Sequence, residues 1–258
     1  MTVYNEIGKG YSIHRQADSR IVESIYRLLD LPANSRVIDV GAGTGNYSNA
    51  IAEKGYIVNA VEPSNEMRLQ AKYHPKVTWV QGTAEDMPLE DDVADAVVAI
   101  LSIHHFKSLE KASLEFNRIC KNGTIVIFTF DPRESAKIWL SDYFPSIFES
   151  AYFAFEPIEK VAATISSDKY RYEIHPFSLP SDLSDKFMAF GWKYPELYLD
   201  ATIRNSMSAF ALTDQTITNV GINRLKNDLE TGFWNEKYGS IKKLNEIDLG
   251  YRFIKITR

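Results

Sequence analysis

Residues 37–48, VIDVGAGTGNYS, place three glycines within five residues directly after a short apolar run. An apolar strand, a glycine-rich turn and a following helix form a unit that several folds use to hold a cofactor. Dinucleotides, nucleoside triphosphates and S-adenosylmethionine are all bound by units of this kind. The stretch therefore predicts a cofactor-binding α/β protein, and the remaining sequence has to separate the three ligands.

Strand-like and helix-like segments alternate on both sides of this stretch. Apolar runs typical of strands occur at 37–40, 56–61, 77–81, 94–101 and 123–130, and helices are predicted at 20–31, 48–54, 65–72 and 109–120. This alternation indicates a parallel, doubly wound sheet, in which ligands bind outside the carboxyl ends of the strands. The segments that follow the strands are therefore expected to meet at one edge.

After Asp131 the alternation stops, and residues 132–178 are unusually aromatic. Helices are predicted again at 183–190 and 222–230, a strand at 194–200 and a closing strand at 251–257. No repeat or linker divides the chain, so a single domain over residues 1–258 is expected.

Composition and charge argue against several kinds of partner. The net charge of −5 gives no basic surface for nucleic acid or an anionic membrane. One cysteine, Cys120, excludes a disulfide framework and a multi-cysteine metal site. The first twenty residues lack the apolar core of a signal peptide, and no segment approaches the roughly 18 consecutive apolar residues of a membrane span. These features predict a cytoplasmic protein without a metal.

The triphosphate alternative fails because a P-loop ends in Gly-Lys-Ser/Thr, whereas Asn46 follows Gly45 here. The dinucleotide-binding pattern is a better match, because Glu62 follows the second strand. Its distance from the glycines is about that expected for an acidic residue that accepts the ribose hydroxyls. However, Asn46 stands where that pattern needs its third glycine, and Asp39 would be unfavourable beside a pyrophosphate. S-adenosylmethionine has no phosphate and carries an ammonium and a sulfonium, which suit Asp39.

Four blocks in order, VIDVGAGTGNYS, AVEPSNEM, VQGTAEDMPLEDDVADAVVA and SIHHF, lie at the predicted strand ends. With these blocks the sequence resembles class I S-adenosylmethionine-dependent methyltransferases of the UbiE-like, type-11 small-molecule group, over roughly residues 4–130. The resemblance implies a doubly wound, mostly parallel seven-stranded sheet, the Rossmann-like methyltransferase fold, with a helical, aromatic insertion after the fifth strand.

The resemblance also implies which residues hold S-adenosyl-L-methionine. Glu62 would take the ribose hydroxyls, residues 83–85 would border the adenine, and Arg15 could pair with the methionyl carboxylate. The full set expected to bind the cofactor is Tyr11, Arg15, Asp39, Gly41, Ala42, Gly43, Glu62, Pro63, Thr83, Ala84, Glu85, Leu101 and Ser102.

Three residues are candidates for a catalytic role, because they follow the fourth and fifth strands. His104 and His105 have side chains suited to proton transfer near neutral pH. Asp131 could orient an acceptor hydroxyl or amine, or it could cap the segment that follows it. The histidine pair could also be structural.

The predicted reaction is methyl transfer to oxygen, nitrogen or carbon of a small metabolite, by a monomer or a homodimer. Residues 132–178 are expected to form a lid or substrate-binding segment whose aromatic walls suit a planar or hydrophobic acceptor. They could equally pack extra helices or form a dimer face. An NAD(P)-linked oxidoreductase and a non-catalytic cofactor-binding protein with the same fold stay open as alternatives.

Overall fold

The protein is described by a computed structural model over residues 15–134, 138–167 and 170–257. Tyr11, one of the predicted cofactor residues, lies outside the described residues. The strands are β1 (Arg36–Val40), β2 (Ile57–Val61), β3 (Val77–Val80), β4 (Ala96–Ile100), β5 (Thr124–Phe130), β6 (Arg171–Pro176), β7 (Leu179–Pro180), β8 (Glu246–Ile247) and β9 (Tyr251–Thr257).

The α-helices of the described residues lie mainly between β1 and β6 and between β7 and β8. They are α1 (Ser19–Leu29), α2 (Asn46–Glu53), α3 (Asn65–Leu69), α4 (Leu109–Ile119), α5 (Trp139–Tyr143), α6 (Pro145–Ala154), α7 (Ile158–Ser166), α8 (Ala201–Asn205), α9 (Ser208–Leu212), α10 (Gln215–Glu230) and α11 (Phe233–Tyr238). Short 3₁₀ helices cover Ile103–His105, Pro195–Leu199 and Gly239–Lys243. None of these helices is both long and apolar enough to cross a membrane.

A seven-stranded sheet with the order β3-β2-β1-β4-β5-β9-β6 forms the centre of the molecule. Strands β1 to β5 pair in parallel, and β9 runs antiparallel between β5 and β6. The predicted doubly wound, mostly parallel seven-stranded sheet is confirmed.

Both faces of the sheet are buried at its centre, which explains why β4 is apolar at every position. Ala96 and Val98 face a cluster that includes Ile25 of α1. Val97 faces the opposite cluster, which includes Phe116 of α4. Because neighbouring residues of a strand point to opposite faces, a strand between two helical layers needs an uninterrupted apolar run.

The carboxyl ends of the parallel strands lie at one edge. Val40 pairs with Val61 in the register of β1 and β2, and Ile100 pairs with Phe128 in that of β4 and β5. The backbone N–H of Gly41 then donates to the carbonyl of Val61 at 2.9 Å, which links the glycine loop to the end of β2. The segments after β1, β2 and β4 therefore meet, as the sequence predicted.

Residues 132–178 contain α5, α6 and α7 and then β6, which joins the main sheet. Trp139, at the start of α5, is fully buried, and its indole N–H donates to the carbonyl of Trp192 at 2.7 Å. Its ring packs edge-on against Tyr198 and Trp234, with centroids 5.2 and 5.7 Å away. This aromatic contact fixes the helices after β5 onto the C-terminal part of the chain.

The helix predicted over residues 183–190 is wrong, because this segment forms turns and bends. The side chain of Asp18 accepts hydrogen bonds from the backbone N–H and the hydroxyl of Ser184, at 2.9 and 3.1 Å. A partner far away in the sequence thus takes the place of the local bonds that a helix needs.

The strand predicted over residues 194–200 is also wrong, because Pro195–Leu199 form a 3₁₀ helix. Pro195 has no N–H to give to a sheet, and its fixed φ suits the first position of a helical turn. The predicted helix at 222–230 lies within α10, and the closing strand at 251–257 is confirmed as β9.

Candidate active site

A cavity of about 410 Å³ opens at the carboxyl edge of the sheet. Its wall includes these predicted cofactor residues: Arg15, Gly41, Ala42, Gly43, Glu62, Pro63, Thr83, Ala84, Glu85, Leu101 and Ser102. Of the predicted catalytic residues, His105 is part of the wall, whereas His104 and Asp131 are not, and Asp39 lies behind it. The structure thus brings together residues from five separate parts of the chain.

The glycine loop forms one side of the cavity with a backbone that glycine tolerates best. Gly41 and Gly43 have φ of 74° and 58°. A Cβ atom on Gly41 would lie 2.6 Å from the Cβ of Ser102, so a side chain there would push against the loop after β4. A Cβ atom on Gly43 would meet only the end of Met67, at 3.5 Å. The loop is therefore packed behind Gly41 and has room in front of Gly43.

Glu62, directly after β2, holds this loop in place. Its carboxylate accepts the backbone N–H of Gly43 at 2.9 Å and that of Ser64 at 2.8 Å. The side chain is 6% exposed, and burial raises its pKa above the ordinary value, although the two backbone donors act in the opposite direction. A carboxylate has about four acceptor positions, so two N–H donors leave acceptor capacity for a ligand.

Residues 83–85 form another part of the cavity wall. The Glu85 carboxylate accepts the backbone N–H groups of Lys107 and Ser108, at 2.5 and 3.2 Å, and so connects this segment to the loop after β4. In that loop, Leu101 has a φ of 50°, which is uncommon for a residue with a side chain. A strained backbone held in this way is typical of a functional site.

Asp185 is a cavity residue that the sequence did not reveal. It is 1% exposed and accepts two hydrogen bonds from Arg15, through Nε and, at 3.1 Å, through Nη2. The hydroxyl of Tyr47 donates to the same carboxylate at 3.0 Å. Asp185 lies in the segment where a helix was expected, and no pattern in the sequence connects it to residues 138 and 170 positions away.

The two histidines after β4 occupy different environments. His105 lines the cavity with an exposed side chain, and partial desolvation by the surrounding protein lowers its pKa, so that it is neutral at pH 7. His104 is half-buried next to it, with ring centroids 3.8 Å apart, and the ring of His104 also stacks on that of Phe155 at 4.2 Å. Burial, together with the charges of His105 and Arg15, lowers the pKa of His104 well below its ordinary value.

Asp131 lies outside the cavity wall and connects the two segments that follow β5. One carboxylate oxygen accepts the backbone N–H of Arg133 at 2.8 Å, and the other accepts that of Ile158, the first residue of α7, at 3.2 Å. The guanidinium of Arg133 lies 2.8 Å from Asp131 and donates to the carbonyl of Phe155 at 2.7 Å. Asp131 is thus linked through Arg133 to the backbone of Phe155, the residue whose ring stacks on His104.

Asp39, at the penultimate position of β1, is 2% exposed and accepts the hydroxyl of Ser48 at 2.5 Å. Burial raises the pKa of Asp39 to about 7, the Ser48 hydrogen bond acts against this, and the charge of Glu62 adds to it. The carboxylate therefore stands behind the glycine loop and fixes the first turn of α2.

This raised pKa predicts that Asp39 makes folding less favourable as the pH rises. Between the ordinary value of 3.8 and about 7, the folded protein keeps a proton that the unfolded chain has lost. The stability that this group contributes is therefore complete below pH 3.8 and lost by pH 7. Asp39→Asn should be more stable than the wild type at pH 8, with a smaller difference at pH 5. Urea unfolding of both proteins at the two values tests this, and an equal difference at both would contradict it.

The charged groups of the cavity wall favour a cation. Glu62, Glu85 and Asp185 supply three carboxylates, whereas Arg15 and Lys107 supply two cationic groups. His105 is neutral at pH 7 because of its lowered pKa. The wall therefore has one more negative than positive group, and the carboxylate of Asp39 lies behind it.

Comparison with known proteins identifies the family. A family model described as a methyltransferase domain matches residues 38–128. A solved protein of Anabaena variabilis, assigned as a methyltransferase of an antibiotic biosynthesis pathway, is 49% identical, with a TM-score of 0.92 over 95% of this chain and 99% of that one. The chain belongs to the S-adenosylmethionine-dependent methyltransferases.

More distant relatives agree with this assignment. The ubiquinone/menaquinone biosynthesis C-methyltransferase UbiE of Rubrivivax gelatinosus is 31% identical over 115 residues, which cover 44% of each chain. Phosphoethanolamine N-methyltransferase 2 of Haemonchus contortus, solved with S-adenosyl-L-methionine, is 16% identical and has a TM-score of 0.58 over 95% of this chain and 53% of that one, which shows the shared fold. The matches span 61%, 46% and 44% of the length of three curated relatives.

S-adenosylmethionine is the cofactor of this family, and the cavity fits it. The cofactor has two cationic groups, the ammonium and the sulfonium, and only one carboxylate. Its excess positive charge complements the excess negative charge of the wall. The open space in front of Gly43 allows the close backbone approach that a bound ligand needs. Glu62 keeps acceptor capacity beyond its two backbone donors.

Proposed function

We propose that this protein transfers the methyl group of S-adenosylmethionine to an oxygen, nitrogen or carbon atom of a small-molecule metabolite. The observation that carries the proposal is one cavity whose wall joins the glycine loop, Glu62 and residues 83–85 with His105. Bound S-adenosylmethionine supplies an electrophilic methyl group on its sulfonium. Everything else in the reaction depends on how the chain aligns an acceptor and excludes water.

Within this proposal, each part of the wall contacts a different part of the cofactor. Glu62 accepts the ribose hydroxyls, with Pro63 beside it, and residues 83–85 border the adenine. The glycine loop, with Gly41, Ala42 and Gly43, follows the methionine portion. Leu101 and Ser102 approach its amine, and Arg15 its carboxylate. The support for these contacts is that all of these residues line the same cavity.

His105 is the proposed proton acceptor, where the acceptor atom has a proton to lose. It is the histidine in the cavity wall, and its imidazole is neutral at pH 7, the form that can accept a proton. In this proposal His104 and Asp131, which lie outside the cavity wall, support His105 indirectly. His104 supports the ring of His105, and Asp131 places Phe155 against His104.

The segment after β5 is proposed to form part of the acceptor pocket, for a planar or hydrophobic molecule. Phe155 packs edge-on against Phe130, at 5.3 Å, and stacks on His104, so that residues of this segment reach the histidine pair. Aromatic walls favour flat or apolar ligands. A cytoplasmic location, and a monomeric or homodimeric state, stay predictions from the sequence.

Two measurements test the proposal. The first is thermal unfolding with S-adenosylmethionine, S-adenosylhomocysteine or NAD(P)H. We expect stabilisation by the first two ligands, and stabilisation by the nicotinamide cofactor alone would refute the proposal. The second uses S-adenosylmethionine with an isotope-labelled methyl group and a metabolite extract. Label is expected in a small molecule, and binding without any transfer would favour a non-catalytic protein of the same fold.

Glu62→Ala should weaken S-adenosylmethionine binding by about 1.5–3 kcal/mol, the range for hydrogen bonds to a charged group. The variant loses the ribose acceptor and also the carboxylate that accepts the N–H of Gly43. Isothermal titration measures the change. Glu62→Gln keeps one oxygen acceptor, so its loss should be smaller. Glu53→Ala, an exposed position in α2, controls for the change of net charge. An effect near zero for Glu62→Ala would place the ribose contact elsewhere.

A further inference from the structure

Asp185 is surrounded by donors from two distant parts of the chain. Its carboxylate accepts Nε and Nη2 of Arg15, which precedes α1, and the hydroxyl of Tyr47 in the first turn of α2. Asp185 itself belongs to the segment after β7. All three residues line the cavity, so this network forms part of the wall that a ligand would touch.

The network fixes the direction of the Arg15 side chain. A carboxylate that accepts two N–H groups of one guanidinium sets both the position and the plane of that group. The backbone of Arg15 is held as well, because the side-chain amide of Asn46 donates to its carbonyl at 2.8 Å. Arg15 is therefore oriented from both ends.

Stability alone is a weak reason for such a network. The Arg15 side chain is 15% exposed and that of Asp185 is 1% exposed, so both charges are largely removed from water. A buried ion pair often contributes no more stability than apolar side chains of the same volume, because desolvation offsets the attraction. A role in ligand recognition accounts better for a pair placed in a cavity wall.

We propose that Asp185 is a positioning residue, which orients Arg15 toward the carboxylate of the methionine portion of S-adenosylmethionine. This inference rests on the proposed function and extends it to a residue outside the predicted site. Asn46 and Tyr47 directly follow the glycine loop, so the network lies beside the part of the cavity assigned to the methionine portion. The guanidinium has five N–H donors, and Asp185 accepts from two of its nitrogens, Nε and Nη2.

Two ligands that differ only in this carboxylate provide the test, namely S-adenosylmethionine and decarboxylated S-adenosylmethionine. Isothermal titration gives the ratio of their dissociation constants for each variant. The wild type should prefer the carboxylated ligand by about 10- to 100-fold, as expected for a charge-assisted contact. Arg15→Gln should abolish the preference. Asp185→Asn should reduce it to about threefold or less, because an amide accepts from only one oxygen and no longer holds the fork of Arg15.

Asp228→Asn is the matched control. Asp228 is also a buried carboxylate that accepts a tyrosine hydroxyl, from Tyr143 at 2.7 Å, with Arg224 at 3.9 Å, but it lies outside the cavity wall. Its variant should keep the wild-type ratio. If Asp185→Asn does not fold, Tyr47→Phe removes one donor to Asp185 without leaving a charge unpaired. It should lower the ratio by about two- to tenfold.

Three results would overturn the inference while the proposed function stands. In the first, Asp185→Asn keeps the wild-type ratio of dissociation constants while Arg15→Gln loses the preference for the carboxylated ligand. In the second, Asp185→Asn weakens the binding of both ligands equally. In the third, the wild type itself shows no preference for the carboxylated ligand. The equal weakening would mean that Asp185 contacts the ammonium, which both ligands carry. A wild type that binds neither ligand would overturn the proposed function together with this inference.

Discussion

Gly43→Leu should abolish S-adenosylmethionine binding while the protein stays folded. The position of a Cβ atom on Gly43 is open on the cavity side, with only the flexible end of Met67 at 3.5 Å, so the new side chain would occupy the space of the ligand. We expect the dissociation constant to rise by about 100-fold or more, which corresponds to about 2.7 kcal/mol. Isothermal titration measures the affinity, and circular dichroism verifies the fold.

Gly232→Leu controls for the cost of a side chain in this backbone conformation. Gly232 has a φ of 82°, also in the left-handed region, and no atom lies within 4 Å of its Cβ position. Both variants should lose about 1–2 kcal/mol of stability, because a side chain is strained at positive φ. Only Gly43→Leu should lose the ligand. Equal affinities in the two variants would refute the assignment of the glycine loop to the cofactor.

Trp139→Ala should lower the free energy of unfolding by about 3–5 kcal/mol, the range for removing a large aromatic side chain from a core. Trp139 is fully buried, contacts Tyr198 and Trp234 edge-on, and donates its indole N–H to the carbonyl of Trp192. The variant leaves a cavity and an unpaired buried carbonyl. Since domains are stable by about 5–15 kcal/mol in total, the loss is large. Urea unfolding followed by circular dichroism measures it, because that signal does not depend on the removed tryptophan.

Two further variants separate packing from the hydrogen bond of Trp139. Phe153→Ala, in the neighbouring helix α6, removes a ring that is 86% exposed, and its effect should stay within about 0.5 kcal/mol. Trp139→Phe retains most of the ring packing and loses the N–H group, so it should fall between the other two. If Trp139→Ala destabilised the protein no more than Phe153→Ala, the helices after β5 would not depend on this aromatic contact.

The sequence predicted the sheet and most of the cavity wall because both depend on short segments. A strand buried on both faces requires a run such as residues 96–100, and the turn after β1 requires glycines where the backbone takes positive φ. Each of these signals lies within a few residues. Once the strands are parallel, the position of Glu62 and of residues 83–85 at the same edge follows from topology.

Other features depend on partners that are distant in the sequence. β6 has mostly exposed side chains and is a strand because it pairs with β9, so no apolar pattern marked it. The segment around Asp185 is held by Asp18 and Arg15, more than 160 positions away, rather than by helical bonds. Local sequence patterns contain no information about such distant pairs, and for this reason they did not identify Asp185 as a residue of the site.

The carboxylate of Asp131 has a consequence for how the segment after β5 could be exchanged between relatives. It joins the end of β5 to Arg133 and to the start of α7, and so it is the junction between the cofactor-binding part and the segment that follows. If relatives exchanged the segment that follows Asp131, the new segment would need N–H groups that donate to the same carboxylate. Because Asp185 of the cavity wall also follows residue 131, an exchanged segment would have to keep that carboxylate as well.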